Sequence, residues 1–247
     1  MKIPKKISPD RIKDSIVEIR YTTLFPFEVV IGMIYNALDT TYTYTNRPLN
    51  KKQFLSTQNQ QIELQLGNKP IFYNEKIKIE LQPNSLIFNS VGEYVTWDVY
   101  KPEIEKALIQ IQKANIIQSF VRFGIRYISE YPNINLFDCV RFTFSFGMPE
   151  ITSESFTFHS EFKQEGLRVI LNLLNNNSVI TSGAIPNQLM VSQVSYIDID
   201  VVTENLIVSQ DSIQEVMLKI DIIHKKEKEV FFNLLKDEFL QSLNPVY

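Results

Sequence analysis

The sequence predicts an α+β protein: a duplicated β-α-β4-α unit that forms a curved antiparallel sheet with helices on one side. Three observations predict it. Many stretches alternate apolar and polar residues with the period of two that half-buried strands require. Others repeat apolar residues at helical spacing. The two kinds of stretch also recur in the same order in each half of the chain. The opening strand of both halves carries Ile-Arg-Tyr, at Ile19-Arg20-Tyr21 and Ile125-Arg126-Tyr127.

In the first half, residues 15–22 alternate, with Val17, Ile19 and Tyr21 on one side and Ile16, Glu18 and Arg20 on the other. Pro26 suits the first turn of a helix, and Val30, Ile34, Ala37 and Leu38 carry that helix to about residue 39. A β-rich block follows: Thr40–Thr45, Gln61–Leu66, Ile71–Tyr73, Lys76–Leu81 and Ser85–Val91. Gly67-Asn68 marks a hairpin and Pro83-Asn84 a turn. Charge sits on one face of these strands, so one side of the sheet is core and the other wet. Pro102 is placed to open the second helix, whose stripe is Ile104, Ala107, Leu108, Ile111 and Ala114, ending near Ile117.

The second half opens with a strand over Ser119–Ser129. Residues 134–148 fit a short helix and then a strand through Val140, Phe142, Phe144 and Phe146. Phe156–Phe162 and Leu167–Leu174 make a hairpin turning at Gln164-Glu165-Gly166, and 175–188 reads as loop. Met190–Val202 is a long strand. Ser212-Ile-Gln-Glu215 has capping-box spacing and starts one long helix that Pro245 ends. Within it, Lys225–Glu229 reads as a solvated face.

The halves meet near Ile117, giving repeats at 1–117 and 118–247 within one compact unit. Such a duplication resembles the saddle of the TATA-binding protein. The alternative is a single sheet gripping the C-terminal helix, as in helix-grip folds. Fold alone does not assign function.

Composition excludes more than it identifies. With 247 residues, 44% hydrophobic and 21% charged, the chain can bury a sizeable core. A net charge of −3 argues against gripping duplex nucleic acid by phosphate neutralisation. The single Cys139 excludes an intrachain disulfide and a cysteine-rich zinc site. Two histidines, His159 and His224, leave little for a metal centre, and seven glycines include no phosphate-cradling loop. No cofactor is expected. No run approaches the roughly 18 apolar residues of a membrane span. Asp10, Arg11, Lys13 and Asp14 interrupt any signal-peptide core. The expected location is cytoplasmic.

The order of motifs resembles an uncharacterised, sporadically distributed prokaryotic family of proteins of about this length. Its "EIRF"-type first strand corresponds to Glu18-Ile19-Arg20-Tyr21, and its "GLRY"-type middle strand to Gly124-Ile125-Arg126-Tyr127, followed by Ile128 and Ser129 where an Asn is usual. Its "IDID" strand corresponds to Ile197-Asp198-Ile199-Asp200, and its helical His step to Ile223-His224 ahead of Phe231-Phe232. The family brings no activity and no catalytic residue. Its patchy distribution implies horizontal transfer, which suits defence or toxin-control genes.

The candidate binding residues are the strand charges Glu18, Arg20, Arg122, Arg126, Asp198 and Asp200, together with His224. Guanidinium forks on a sheet can hold an anionic or zwitterionic ligand; the same charges can equally form an ion-pair lattice. Were the opening strands to pair at a pseudo-two-fold, Arg20 and Arg126 would approach each other. Asp198 and Asp200, with Glu18, could hold a divalent metal, but no phosphate-handling loop accompanies them. Asp221 three residues before His224 allows a base and its orienter, without an evident nucleophile. Lys51-Lys52 and Lys225–Lys228 are the densest basic patches, and neither has the form of a nucleic-acid footprint.

The expectation is a non-enzymatic binding protein with a protein partner, encoded by a neighbouring gene, and a homodimer is plausible through the long C-terminal helix. The alternatives are a nucleic-acid-binding or RNA-processing protein and a metal-dependent hydrolase or nucleotidyl-transferase.

Overall fold

The structure, a computed structural model, describes residues 2–46, 69–144, 147, 154–182, 189–204, 206–209 and 211–247. The expected strand at 61–66, the Gly67-Asn68 hairpin and Lys51-Lys52 lie outside these residues. Among the described residues the chain is α+β, with ten strands in a large antiparallel sheet and five α-helices. No helix among them is long and apolar enough to cross a membrane. The chain divides into two compact units.

The first unit comprises Ile16–Phe123 and Asn205–Lys219. It holds most of β1 (Ile12–Thr22), α1 (Phe27–Leu38), β2 (Thr43–Thr45), β3 (Ile71–Tyr73), β4 (Ile77–Gln82), β5 (Ser85–Ser90) and α2 (Trp97–Gln112). It also holds the start of β6 (Ser119–Pro132). The strand order is β2-β3-β4-β5-β1. Val17 faces Phe88 and Ile19 faces Leu86 in the ladder, and all four are fully buried. The β3–β4 turn is an Asx turn: Asn74 Oδ1 accepts from Lys76 N and Ile77 N, each at 2.9 Å. Helix α1 starts where Val30 N donates to Pro26 O, and it buries Val30, Ile34 and Leu38. Helix α2 begins at Trp97, earlier than Pro102 suggests. Thr96 O already accepts from Val99 N and Tyr100 N, and the fully buried Tyr100 draws that first turn into the core. The helix ends before Asn115, which takes a left-handed φ of 51°.

The second unit comprises Met1–Ser15, Gly124–Glu204 and Ile220–Tyr247. It contains the rest of β6, α3 (Leu136–Cys139), β7 (Phe156–Gln164), β8 (Leu167–Ser182), β9 (Leu189–Thr203) and α5 (Asp237–Ser242). It also contains the larger part of α4 (Ile213–Leu234). Its strand order is β6-β9-β8-β7. The β7–β8 turn has two successive positive φ values, 54° at Glu165 and 77° at Gly166. That combination defines the type I′ turn that suits strand twist.

Four expectations change in this unit. Residues 175–182 are strand, not loop. A bulge between Leu174 and Asn177 absorbs the asparagines, so the ladder resumes with Asn177 opposite Val194. Asn175 is fully buried and its Oδ1 accepts from Leu136 N at 2.7 Å, while Asn176 N donates to Ser195 Oγ at 3.0 Å. Residues 140–144 do not continue as a strand after α3. Val140 makes a single bridge to Leu235, and Phe142 and Phe144 instead cluster with Phe137, Phe156 and Phe158. The C-terminal helix is also two helices. Arg141 N donates to Leu234 O and Lys236 N to Cys139 O, so β-type bonding at Leu235 breaks the ladder of helical bonds.

The last two turns of α4 differ from a solvated face. Lys226 and Glu227 are 3% and 5% exposed. Burial opposes the Lys226 charge, but hydrogen bonds to Glu229 and Glu165, at 3.0 Å each, outweigh it and raise its pKa. Glu227 has no such compensation. Burial pushes its carboxyl up to about 8, against only the nearby Lys228 charge, so it is protonated at neutral pH.

Candidate functional site

The strand charges fall into two sets, one in each unit. In the first unit, β1 places Glu18 and Arg20 on one face because Val17, Ile19 and Tyr21 take the buried one. Glu18 is shared: Oε1 accepts from Arg20 Nε at 3.0 Å and Oε2 from Arg122 Nη1 at 3.2 Å. A single carboxylate therefore faces two guanidinium groups.

In the second unit, β6 buries Ile125 and Tyr127 and turns Arg126 to the opposite face. The register sets Arg126 opposite Asp200 and Ile128 opposite Asp198. Arg126 reaches diagonally to Asp198 and binds it with both arms, Nε to Oδ1 at 2.8 Å and Nη2 to Oδ2 at 2.7 Å. The hydrogen bonds to Asp198 raise the Arg126 pKa against the opposing effect of burial, with Asp198, Asp200 and Asp14 adding attraction. The carboxylate of Asp198 is almost enclosed, whereas the guanidinium is half-exposed.

The polar contacts continue across the sheet. Asn172 on β8 stands opposite Asp198 and donates through Nδ2 to its Oδ2 at 3.1 Å. His159 on β7 stands opposite Asn172, with Nδ1 2.7 Å from its Oδ1. Arg126, Asp198, Asn172 and His159 thus form a continuous row over four strands. Sequence reading singles out the first two as a site; His159 is exposed and joins the row through Asn172. Asn172 carries no sequence signal, because only the β8–β9 register brings it to Asp198.

His224 stands apart from this row. It is half-buried on α4 and meets Tyr127 edge-to-face at 6.0 Å between ring centroids. Tyr127 lies on the face of β6 opposite to Arg126, so His224 packs behind the sheet. The structure brings Glu18, Arg20 and Arg122 together, and Arg126 with Asp198; Arg20 and Arg126 each have a carboxylate partner within their own unit.

The chemistry of these groups is restricted. Among the described residues, no group of three or more His, Cys, Asp and Glu side chains is placed to hold a metal ion. Cys139 is 3% exposed, and burial, with Asp138 beside it, pushes its thiol up to about 11. It therefore carries almost no thiolate at neutral pH. An external anion at Arg126 would have to replace a two-armed bond to Asp198 and leave that enclosed carboxylate without its partner.

The first unit also displays large apolar side chains. Leu24 is 81% exposed and Ile207 is 80% exposed. Both lie on segments that leave the sheet around the start of β6. Ser119 accepts or donates a 2.8 Å hydrogen bond with Thr22, two residues before Leu24. On its other side it pairs with Ser209 of the two-residue strand β10 (Val208–Ser209). Phe25, next to Leu24 in the chain, and Val29 in the first turn of α1 are 41% and 43% exposed.

Comparison of the chain with family models, with curated proteins and with solved structures finds no match in any of the three.

Proposed function

We propose that this is a non-enzymatic binding protein whose partner is another protein, met through the apolar segments around the start of β6. The observation that carries the reading is the exposure of Leu24 and Ile207, about four-fifths each, on segments flanking one strand end. Exposed apolar side chains that gather into one patch mark protein contact. Covering each by a partner is worth about 1.5–3 kcal/mol.

The charged rows support the reading from the other direction. Arg20, Arg122 and Arg126 already face carboxylates of the same chain, which is the arrangement of an ion-pair lattice holding strands in register. Among the described residues the first half runs strand, helix, four strands, helix, and the second runs strand, short helix, three long strands, the two-residue β10 and two helices; the shared order up to the strands favours the duplicated, saddle-type scaffold. A role in a prokaryotic defence or toxin-control module, in the cytoplasm, fits the family resemblance.

The test is native mass spectrometry of the protein co-expressed with the products of its neighbouring genes. A stable complex that is lost in the Leu24→Asp/Ile207→Asp variant is the expected result. Absence of any complex, or a complex indifferent to both substitutions, overturns the proposal.

A further inference from the structure

The second unit ends in an edge that is complementary to itself. Strand β7 has nine residues, Phe156–Gln164, and pairs on one side with β8. Among the described residues no strand pairs with its other side. An edge of this length with apolar side chains on one face is a template for another strand. Phe158 and Phe162 point to that face, Phe158 half-buried and Phe162 38% exposed. The opposite face carries Thr157, His159, Glu161 and Lys163, all exposed.

We infer that the occupant of this edge is the β7 strand of a second copy of the chain, paired antiparallel about a two-fold axis through Ser160. The register follows from the strand's own sequence. Only when the dyad passes through its middle residue do all nine residues overlap, Phe156 opposite Gln164 of the other copy. That register sets Phe158 against Phe162 twice, which makes two cross-strand aromatic pairs on the apolar face. On the other face it sets His159 against Glu161 twice and Lys163 against Thr157, so no like charges meet. A shift of one step in either direction places Glu161 on Glu161 or His159 on His159 at the axis. Side chains opposite each other across an antiparallel pair are 4.5–5.5 Å apart at Cβ, so these matches decide whether the edges attract. Such a contact is isologous and closes as a dimer.

The test joins sedimentation with cross-linking. Cys139 is buried, so Ser160→Cys introduces a single half-exposed thiol at the proposed axis. The expected results are a dimer in solution and rapid formation of a covalent dimer by oxidised Ser160→Cys. Glu161→Lys should weaken the dimer at least tenfold by removing the carboxylate that faces His159, and His159→Glu/Glu161→Lys should restore it by setting Glu against Lys in each pair. Circular dichroism confirms that each variant folds. A protein that stays monomeric at all concentrations overturns the inference. So does a dimer in which Ser160→Cys fails to cross-link, since it would then use another face. Leu24 and Ile207 belong to the other unit, so loss of this dimer leaves the protein-partner reading standing, and the converse also holds.

Discussion

The tripeptide Ile-Arg-Tyr occurs in the opening strand of each half, and its two copies reach different ends. The apolar residues behave alike: Ile19 and Ile125 are both fully buried, and Tyr21 and Tyr127 nearly so. The arginines differ. Arg20 meets a carboxylate on its own strand, Glu18, which it shares with Arg122. Arg126 reaches across to β9 and takes both oxygens of the enclosed Asp198. Which face a residue takes is thus set by local alternation, while the partner it finds there is set by register between strands far apart in sequence. A charge acquires structural weight only through the second.

Substitutions can break this comparison, beginning with a buried carboxyl whose proton outweighs the nearby Lys228 charge. Glu227 keeps its proton to about pH 8 in the fold, whereas an exposed glutamate releases it near 4.5. The folded state therefore binds more protons between these values. Stability is highest below the lower value and falls as pH rises toward the upper one. Urea unfolding across that range should show this decline, and Glu227→Gln should flatten it. An equally steep decline in the variant would place the titration elsewhere.

Arg126→Ala comes next. It leaves the enclosed Asp198 without its counter-charge and should cost about 2 kcal/mol, less than for a fully buried pair because the guanidinium is half-exposed. Removing both charges in Arg126→Leu/Asp198→Leu should recover most of that loss. Chemical denaturation of the three proteins decides, and a double variant no better than the single one would show that the pair contributes more than mutual neutralisation. Glu18→Gln should cost about 0.5–1 kcal/mol by leaving Arg20 and Arg122 side by side. Arg20→Ala should cost less than about 0.5 kcal/mol. A loss at Arg20 as large as that at Arg126 would erase the distinction between the two copies.

The same division explains how much was legible in the sequence. Strands β3, β4 and β5 and helix α1 match their expected bounds closely, because alternation and helical spacing are local signals. The alternation of β6 and β9 also places Arg126 and Asp198 correctly as to face. The extension of β8 through Asn175 and Asn176 was not legible. An asparagine run resembles a loop until a bulge buries Asn175 against α3, a contact 39 residues distant. The break in the C-terminal helix was hidden for a similar reason, since Leu235 has no helix-breaking character and yields only to the bridge from Val140. Lys226 and Glu227 read as solvated from their charge, yet Lys226 is tied to Glu165 at the β7–β8 turn, which sequence spacing does not reveal. The row Arg126, Asp198, Asn172, His159 shows both cases at once: Arg126 and Asp198 carry charge and attract notice, while Asn172 is visible only in the register.

The most direct test of the claim that this protein binds a protein partner through the apolar end of the first unit sets two double variants side by side. Native mass spectrometry of co-expressed neighbour products is read for Leu24→Asp/Ile207→Asp and for Arg126→Leu/Asp198→Leu, both checked for folding. The prediction is that the first loses the complex and the second keeps it. Retention in the first with loss in the second would contradict it and make the Arg126–Asp198 row the binding site.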